Sequence, residues 1–253
     1  MSKDLITDND LLKVIREAAM ERFPNEACGF VVQTNERKFV AVETENSSED
    51  PTAQFLISAE EYARCADMGE IIGVWHTHTN GNDQPSQADY AGCENSNLPW
   101  YLLSIKQLED GSFVWSDLIY FEPEGREIPY LERPYAFGAM DCWSLVRDYY
   151  KREFGIQLGD YPRYHEFWKN QDTNFFENCW QDENLIDVTG TSPQVGDIFF
   201  MQTDSSGNPN HVAVYVGDDR ILHHCHGRLS RRDIYGGYWA KHTVRHVRHI
   251  SKC

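Results

Sequence analysis

The chain has 253 residues, 41% of them hydrophobic and 13% aromatic, enough apolar mass for one large core or two ordinary ones. Its formal charge of -17 is lopsided: residues 1–130 carry 9 Lys/Arg against 24 Asp/Glu, and residues 131–253 carry 14 against 16. The amino half should repel nucleic acid, and only Arg220–Lys252, with eight basic residues against Asp233, offers an edge for an acidic polymer or protein; no nucleic-acid partner is expected.

Seven scattered cysteines, at 28, 65, 93, 142, 179, 225 and 253, include no C-x-x-C pair and suit a reducing compartment. The start MSKDLITDND lacks the apolar stretch of a signal peptide, so synthesis in a cytoplasm is the expectation. No run approaches the roughly 18 apolar residues of a membrane span, so no stable membrane insertion is expected.

Along the chain, Asp10–Phe23 reads as a helix capped by Asp10, with Leu11, Leu12, Ile15 and Ala18–Ala19 as its apolar stripe. Cys28–Val32 and Lys38–Val42 read as strands around the turn Thr34–Arg37, and Ser58–Glu61 as a capping box opening a helix that ends near Gly69. Ile71–Trp75 is a central strand, Asn80–Asp83 a loop, and Ser86 opens another helix. Leu98–Leu108 and Ser112–Phe121 follow as strands. The charged stretch Glu122–Arg133 marks the domain junction. Asp141–Phe154 reads as a helix capped by Asp141 and ended near Gly155; Tyr161–Gly190 has no clear pattern. Gly196–Met201 and His211–Val216 pair as strands, and Arg220–His224 supplies the next. No internal repeat relates the halves.

His76 and His78 stand two apart at the end of the strand Ile71–Trp75, on one face, and Asp89 follows eleven positions after His78. Two imidazoles and a carboxylate leave a fourth position for water in a catalytic Zn2+ site. Glu26, outside the ligand set, is the candidate base, and Ser86 the donor to a developing oxyanion. Ser86-x-x-Asp89 is equally a capping box. The pattern Glu26, His76, His78, Ser86, Asp89, with E-A-C-G-F around Glu26, resembles the JAMM metalloproteases over roughly residues 8–122. That resemblance implies zinc and cleavage of peptide or isopeptide bonds. Thr79 departs from it, since many active members have Pro there.

Cys142 opens the predicted helix, where free amides and the helix dipole favour a thiolate. His211 is the candidate base, His223 the residue that orients it, and Tyr135 a hydroxyl donor beside the scissile carbonyl. Strand alternation turns His224 away; His223, His224, Cys225 and His226 also leave a second metal patch open. Pro134, Tyr135, Gly138, Asp141 and Cys142, then Gly196–Phe200 and His211–Gly217, resemble the NlpC-type papain-like cell-wall peptidases over roughly residues 132–245. Such enzymes cut peptidoglycan stem peptides without a cofactor. Trp143-Ser144 stands where Ser-Gly is usual, a change expected to alter substrate access, with Trp143 and Tyr235–Trp239 as candidate substrate-lining aromatics.

The two resemblances imply an α+β chain: a JAMM-like mixed-sheet α/β/α domain over 1–125 and a papain-like NlpC-type α+β domain over 126–253, with a short preceding linker. Their order resembles that of the tail-tip assembly proteins of long-tailed bacteriophages. This implies other tail-tip proteins and the peptidoglycan stem peptide as partners. It also implies synthesis in the host bacterial cytoplasm, then a place at the tail tip or delivery to the periplasm. The alternative is a structural tail scaffold with one or both sites silent.

Overall fold

The computed structural model describes residues 9–79, 83–161, 163 and 166–252. The chain divides into two compact units that meet between Glu127 and Ile128, each α+β. The expected loop Asn80–Asp83 lies outside the described residues except for Asp83. No helix among the described residues is long and apolar enough to cross a membrane.

In the first unit α1 spans Asn9–Arg22, so the helix begins one residue before Asp10. Strands β1 (Cys28–Thr34) and β2 (Phe39–Thr44) form an antiparallel hairpin. Helix α2 (Ala59–Met68) opens on Ser58, whose hydroxyl accepts from the Glu61 amide. β3 (Gly69–Thr79) is longer than its apolar run because it pairs on both sides: antiparallel with β1 and parallel with β4 (Trp100–Gln107), with α3 (Gln87–Ser96) as the crossover. The single strand expected over Ser112–Phe121 is two, β5 (Phe113–Trp115) and β6 (Ile119–Phe121), both antiparallel to β4. The break falls at Ser116, whose hydroxyl accepts from the Ser104 amide and donates to the Asp117 carbonyl. Sheet order is β2-β1-β3-β4-β5, with β6 also on β4. Leu11, Ile15 and Ala18 of α1 cover one face with Val31, Trp75 and Leu103; Cys65 and Cys93 cover the other with Val32, Val74 and Leu102.

The second unit opens with α4 (Cys142–Phe154), capped by Asp141 and ended by Gly155 in the left-handed conformation. The stretch without a clear pattern holds the short helix α5 (Phe175–Asn178) and β7 (Leu185–Asp187). β8 (Ile198–Met201), β9 (His211–Gly217) and β10 (Arg220–His223) follow the expected strands. Three later elements go beyond the sequence reading: β11 (Arg231–Ile234), α6 (Gly237–His242) and β12 (Thr243–His249). All neighbours are antiparallel in the order β11-β10-β9-β8-β12-β7. Leu145, Val146 and Tyr150 of α4 pack on Ile198, Phe200, Val212, Val214 and Leu222. The basic edge is partly consumed internally: Arg245 pairs with Glu177 and Arg248 with Asp197.

Candidate metal centre and thiol site

Period-two alternation at the end of β3 puts His76 and His78 on one side, and the capped start of α3 returns Asp89 to them. His76 Nε2 stands 3.1 Å from Asp89 Oδ1, and His78 Nε2 stands 3.2 Å from Oδ2. Ligand atoms of all three lie within 4.8 Å of one another. His76 is fully buried; its Nε2 faces the Asp89 carboxylate, and its Nδ1 has no hydrogen-bond partner among the described residues, a costly arrangement for a buried polar atom. This donor set fits a divalent ion of zinc's class. Burial opposes the charge on Asp89, but His76 and His78 outweigh it and hold the carboxyl well below its usual range.

β1 begins beside the end of β3, with Cys28 opposite His76, and this brings Glu26 to the site. Glu26 is buried. Desolvation pushes its carboxyl up to about 8, with His78 pulling down and Asp89 adding to the rise. Its amide donates to the Pro51 carbonyl and its own carbonyl accepts from Asn46, so its backbone is fixed. Ser86 closes the capping box: its hydroxyl accepts from the Asp89 amide while Asp89 Oδ2 accepts from the Ser86 amide at 2.6 Å. That cap uses a lone pair of Ser86 and leaves its hydroxyl proton. Thr79 donates to the Pro24 carbonyl at 2.9 Å, tying the histidine strand to the segment before Glu26.

In the second unit His211 Nε2 and His223 Nδ1 lie 3.0 Å apart, and His223 Nε2 lies 3.2 Å from Asp233 Oδ2. Burial works against the charge of Asp233, but His223 and Arg231 keep the carboxyl low, so it accepts only. His223 therefore carries its proton on Nε2, accepts at Nδ1 from His211 Nε2–H, and leaves His211 Nδ1 as a free base. Burial, with His223 and His224 nearby, pushes His211 down to about 3, so it rests neutral. His224, as expected, turns elsewhere, with Nε2 against the Arg228 carbonyl.

Cys142 is the first residue of α4 and its sulfur meets the Val212 amide, next to His211. The thiolate-favouring effect expected of that helix start is outweighed: burial and then Asp141 push the thiol up. The resting pair is thiol and neutral imidazole. Tyr135 packs edge-on against His224 and His226; burial and then Cys142 raise its phenol well above the usual value. Trp143 does not line an opening: it is fully buried, packs on Phe175 and donates to the Gly159 carbonyl. Ser144 completes the cap with Asp141, so Trp143 serves the core and Ser144 the cap. Trp239 does reach the site, edge-on to His223 at 4.5 Å.

Sequence alone gives Asp233 no role, and it groups Cys225 with His223, His224 and His226, whereas the Cys225 sulfur lies 3.9 Å from His211 Nε2 and 3.6 Å from His223 Nδ1. Both come from residues after β10, and the signal for Asp233 was its isolation as an acid in a basic stretch.

A model of the NlpC/P60 family matches residues 132–248, and a model of prokaryotic homologs of the JAB domain matches residues 8–117. Tail tip assembly protein K of Escherichia phage N15 is 36% identical over 239 residues, covering 93% of this chain and 92% of that protein. Its counterpart from Escherichia phage lambda is 30% identical over 194 residues, covering 76% and 89%. Among solved structures, an NLP/P60-family protein of Staphylococcus aureus shares 26% identity, covering 48% of this chain and 38% of that one, at a TM-score of 0.34.

Proposed function

We propose, for a chain that belongs to the tail tip assembly protein K family, that its second unit hydrolyses peptidoglycan stem peptides through Cys142, His211 and His223, in the service of a phage tail tip. The observation that carries this reading is the chain of contacts Asp233–His223–His211 beside the Cys142 helix start. His211 Nδ1 takes the proton of the Cys142 thiol as sulfur bonds to the carbonyl carbon. The same nitrogen then gives that proton to the departing amine as the C–N bond breaks. Water, deprotonated by His211, opens the thioester and restores the thiol. His223, held by Asp233, keeps the His211 ring in the required tautomer, and Tyr135 donates to the carbonyl oxygen.

The first unit is proposed as a zinc-dependent peptide or isopeptide hydrolase. Held by His76, His78 and Asp89, the ion supplies Lewis acidity and a water of lowered pKa. Glu26, with a carboxyl near neutral range, takes a proton and returns it to the leaving amine. The Ser86 hydroxyl steadies the oxygen that gains charge. The protein is made in the host cytoplasm and acts at the tail tip or in the periplasm, among other tail-tip proteins. The rival reading, a tail scaffold with silent sites, draws on the burial of Cys142 and on its raised thiol.

Mass-spectrometric product mapping on defined muropeptides separates these. Wild type, Cys142→Ala and metal-stripped protein are compared under reducing conditions. An amide cut that vanishes in Cys142→Ala and survives chelation supports the peptidase. No cut by folded, reduced wild type on any stem peptide tested overturns it in favour of the scaffold.

A further inference from the structure

The peptidase histidines have a third neighbour that the proposed chemistry leaves unused. Cys225, in the turn after β10, places its sulfur 3.6 Å from His223 Nδ1 and 3.9 Å from His211 Nε2, and those nitrogens are 3.0 Å apart. Three potential ligand atoms thus converge within 4.8 Å of one another. A tetrahedral ion with bonds of about 2.05 Å to nitrogen and about 2.3 Å to sulfur has edges of about 3.4 Å (N–N) and about 3.6 Å (N–S). Each observed edge is within a few tenths of an ångström of these. His223 also gives its other nitrogen to Asp233, as metal-bound imidazoles commonly do to fix tautomer and raise basicity.

We propose that His211, His223 and Cys225 form a second, inhibitory binding site for a thiophilic divalent cation of zinc's class, which silences the cysteine peptidase when occupied. The inhibition follows from proton bookkeeping at His211 and rests on the peptidase reading above. In the metal-free state the His211 proton sits on Nε2 and bridges to His223, leaving Nδ1 basic. Binding takes the Nε2 lone pair, so the one proton of the neutral ring moves to Nδ1. His211 then cannot accept the Cys142 proton. Cys225 binds as thiolate and releases one proton to solvent, so no oxidant or reductant is involved. The fourth position stays open to water. The set also differs in kind from the centre of the first unit, which contains no sulfur. Chelation therefore has opposite consequences at the two sites: it removes the ion that the first unit uses and frees the second unit to act.

The sulfur makes the site visible without any assay of activity. The reduced, metal-stripped full chain is titrated with Co2+, and the near-ultraviolet thiolate-to-cobalt charge-transfer band is recorded. Wild type, Asp89→Asn and Cys142→Ala should all show the band; Cys225→Ser and Cys225→Ala, with unchanged circular dichroism, should lose it. Asp233→Asn should weaken cobalt binding at this band by about 10–100-fold. In parallel, Zn2+ should suppress Cys142-dependent muropeptide cleavage at least about tenfold in wild type, reversibly with chelator. Cys225→Ser, with unchanged activity in chelator, should need at least about tenfold more Zn2+. A band that persists in both Cys225 variants, or is absent from wild type, overturns the site. Zinc inhibition equal in wild type and Cys225→Ser overturns the inhibitory role. A Cys225-dependent band with no muropeptide cleavage at any zinc level upholds the metal site and sinks the peptidase reading.

Discussion

Asp197 holds the second unit together at one buried point, and Asp197→Asn should show how much depends on it. Its carboxylate, 1% exposed, accepts from Arg248 Nε at 2.7 Å and Nη2 at 2.8 Å, from His246 Nε2 at 2.7 Å and from the Gln194 amide. An amide there removes the carboxylate charge that faces the buried Arg248 guanidinium and sets its own NH2 against other donors, a loss of about 3–5 kcal/mol. At about 2.1 cal/mol/K per residue over about 125 residues, the unit's melting temperature should fall by roughly 10–20 °C. Differential scanning calorimetry measures the fall, and hydrogen exchange should place it in β8, β9 and β12. Because part of the loss is a buried cation deprived of the Asp197 charge, adding Arg248→Met should recover stability relative to Asp197→Asn alone. The pH dependence has a definite sign. Burial works against the Asp197 charge, but Arg248 and His246 outweigh it and set the carboxyl at about 2, below the unfolded value of about 3.9. Its contribution, on the order of 2–3 kcal/mol, is present above pH of about 4 and lost as pH falls through about 2. Asp197→Asn should lack that acid-sensitive step. A melting temperature within about 4 °C of wild type, or an unchanged acid limb, refutes this account.

Gly29→Ala should destabilise the first unit by several kcal/mol, because the added Cβ would meet the Val42 carbonyl oxygen at 2.0 Å and the Trp75 indole at 2.7 Å; urea unfolding of the two proteins gives the difference. Asp89→Asn should weaken divalent binding at His76 and His78 by roughly a hundredfold, about 2.7 kcal/mol, as read by calorimetric titration. Glu26→Gln should keep the bound ion by elemental analysis while lowering peptide hydrolysis by about 10²–10⁴-fold, since only proton transfer is removed. His223→Ala leaves the His211 Nε2–H without its acceptor, and kcat/KM on muropeptides should drop by roughly 5–150-fold with little change in KM.

What the sequence made legible follows from how each element announces itself. Ile71–Trp75 and His211–Val216 are apolar runs bounded by turns, and they appear as β3 and β9 with the histidines at their ends. Ser86 and Asp141 are read as caps because a cap is a local hydrogen bond, satisfied within three residues. β12 was illegible for the opposite reason. Its sequence, TVRHVRH, looks like a solvated stretch, yet His246 and Arg248 are buried, and what permits that is Asp197, 49 and 51 residues earlier. Long-range satisfaction of a buried charge leaves no periodic trace.

The same distinction separates the parts of the two sites. The candidate ligands and the candidate nucleophile sit at the ends of regular elements, where spacing points to them. The groups that set their protonation come from elsewhere: Asp233 from the adjacent edge strand β11, and Cys225 from an irregular turn. Their effect is large because both histidines are buried, where one carboxylate or one sulfur determines which nitrogen carries a proton. Cys142 and His211 can thus be proposed as a pair from sequence, whereas the direction in which a proton would move between them depends on residues that only the fold brings into line.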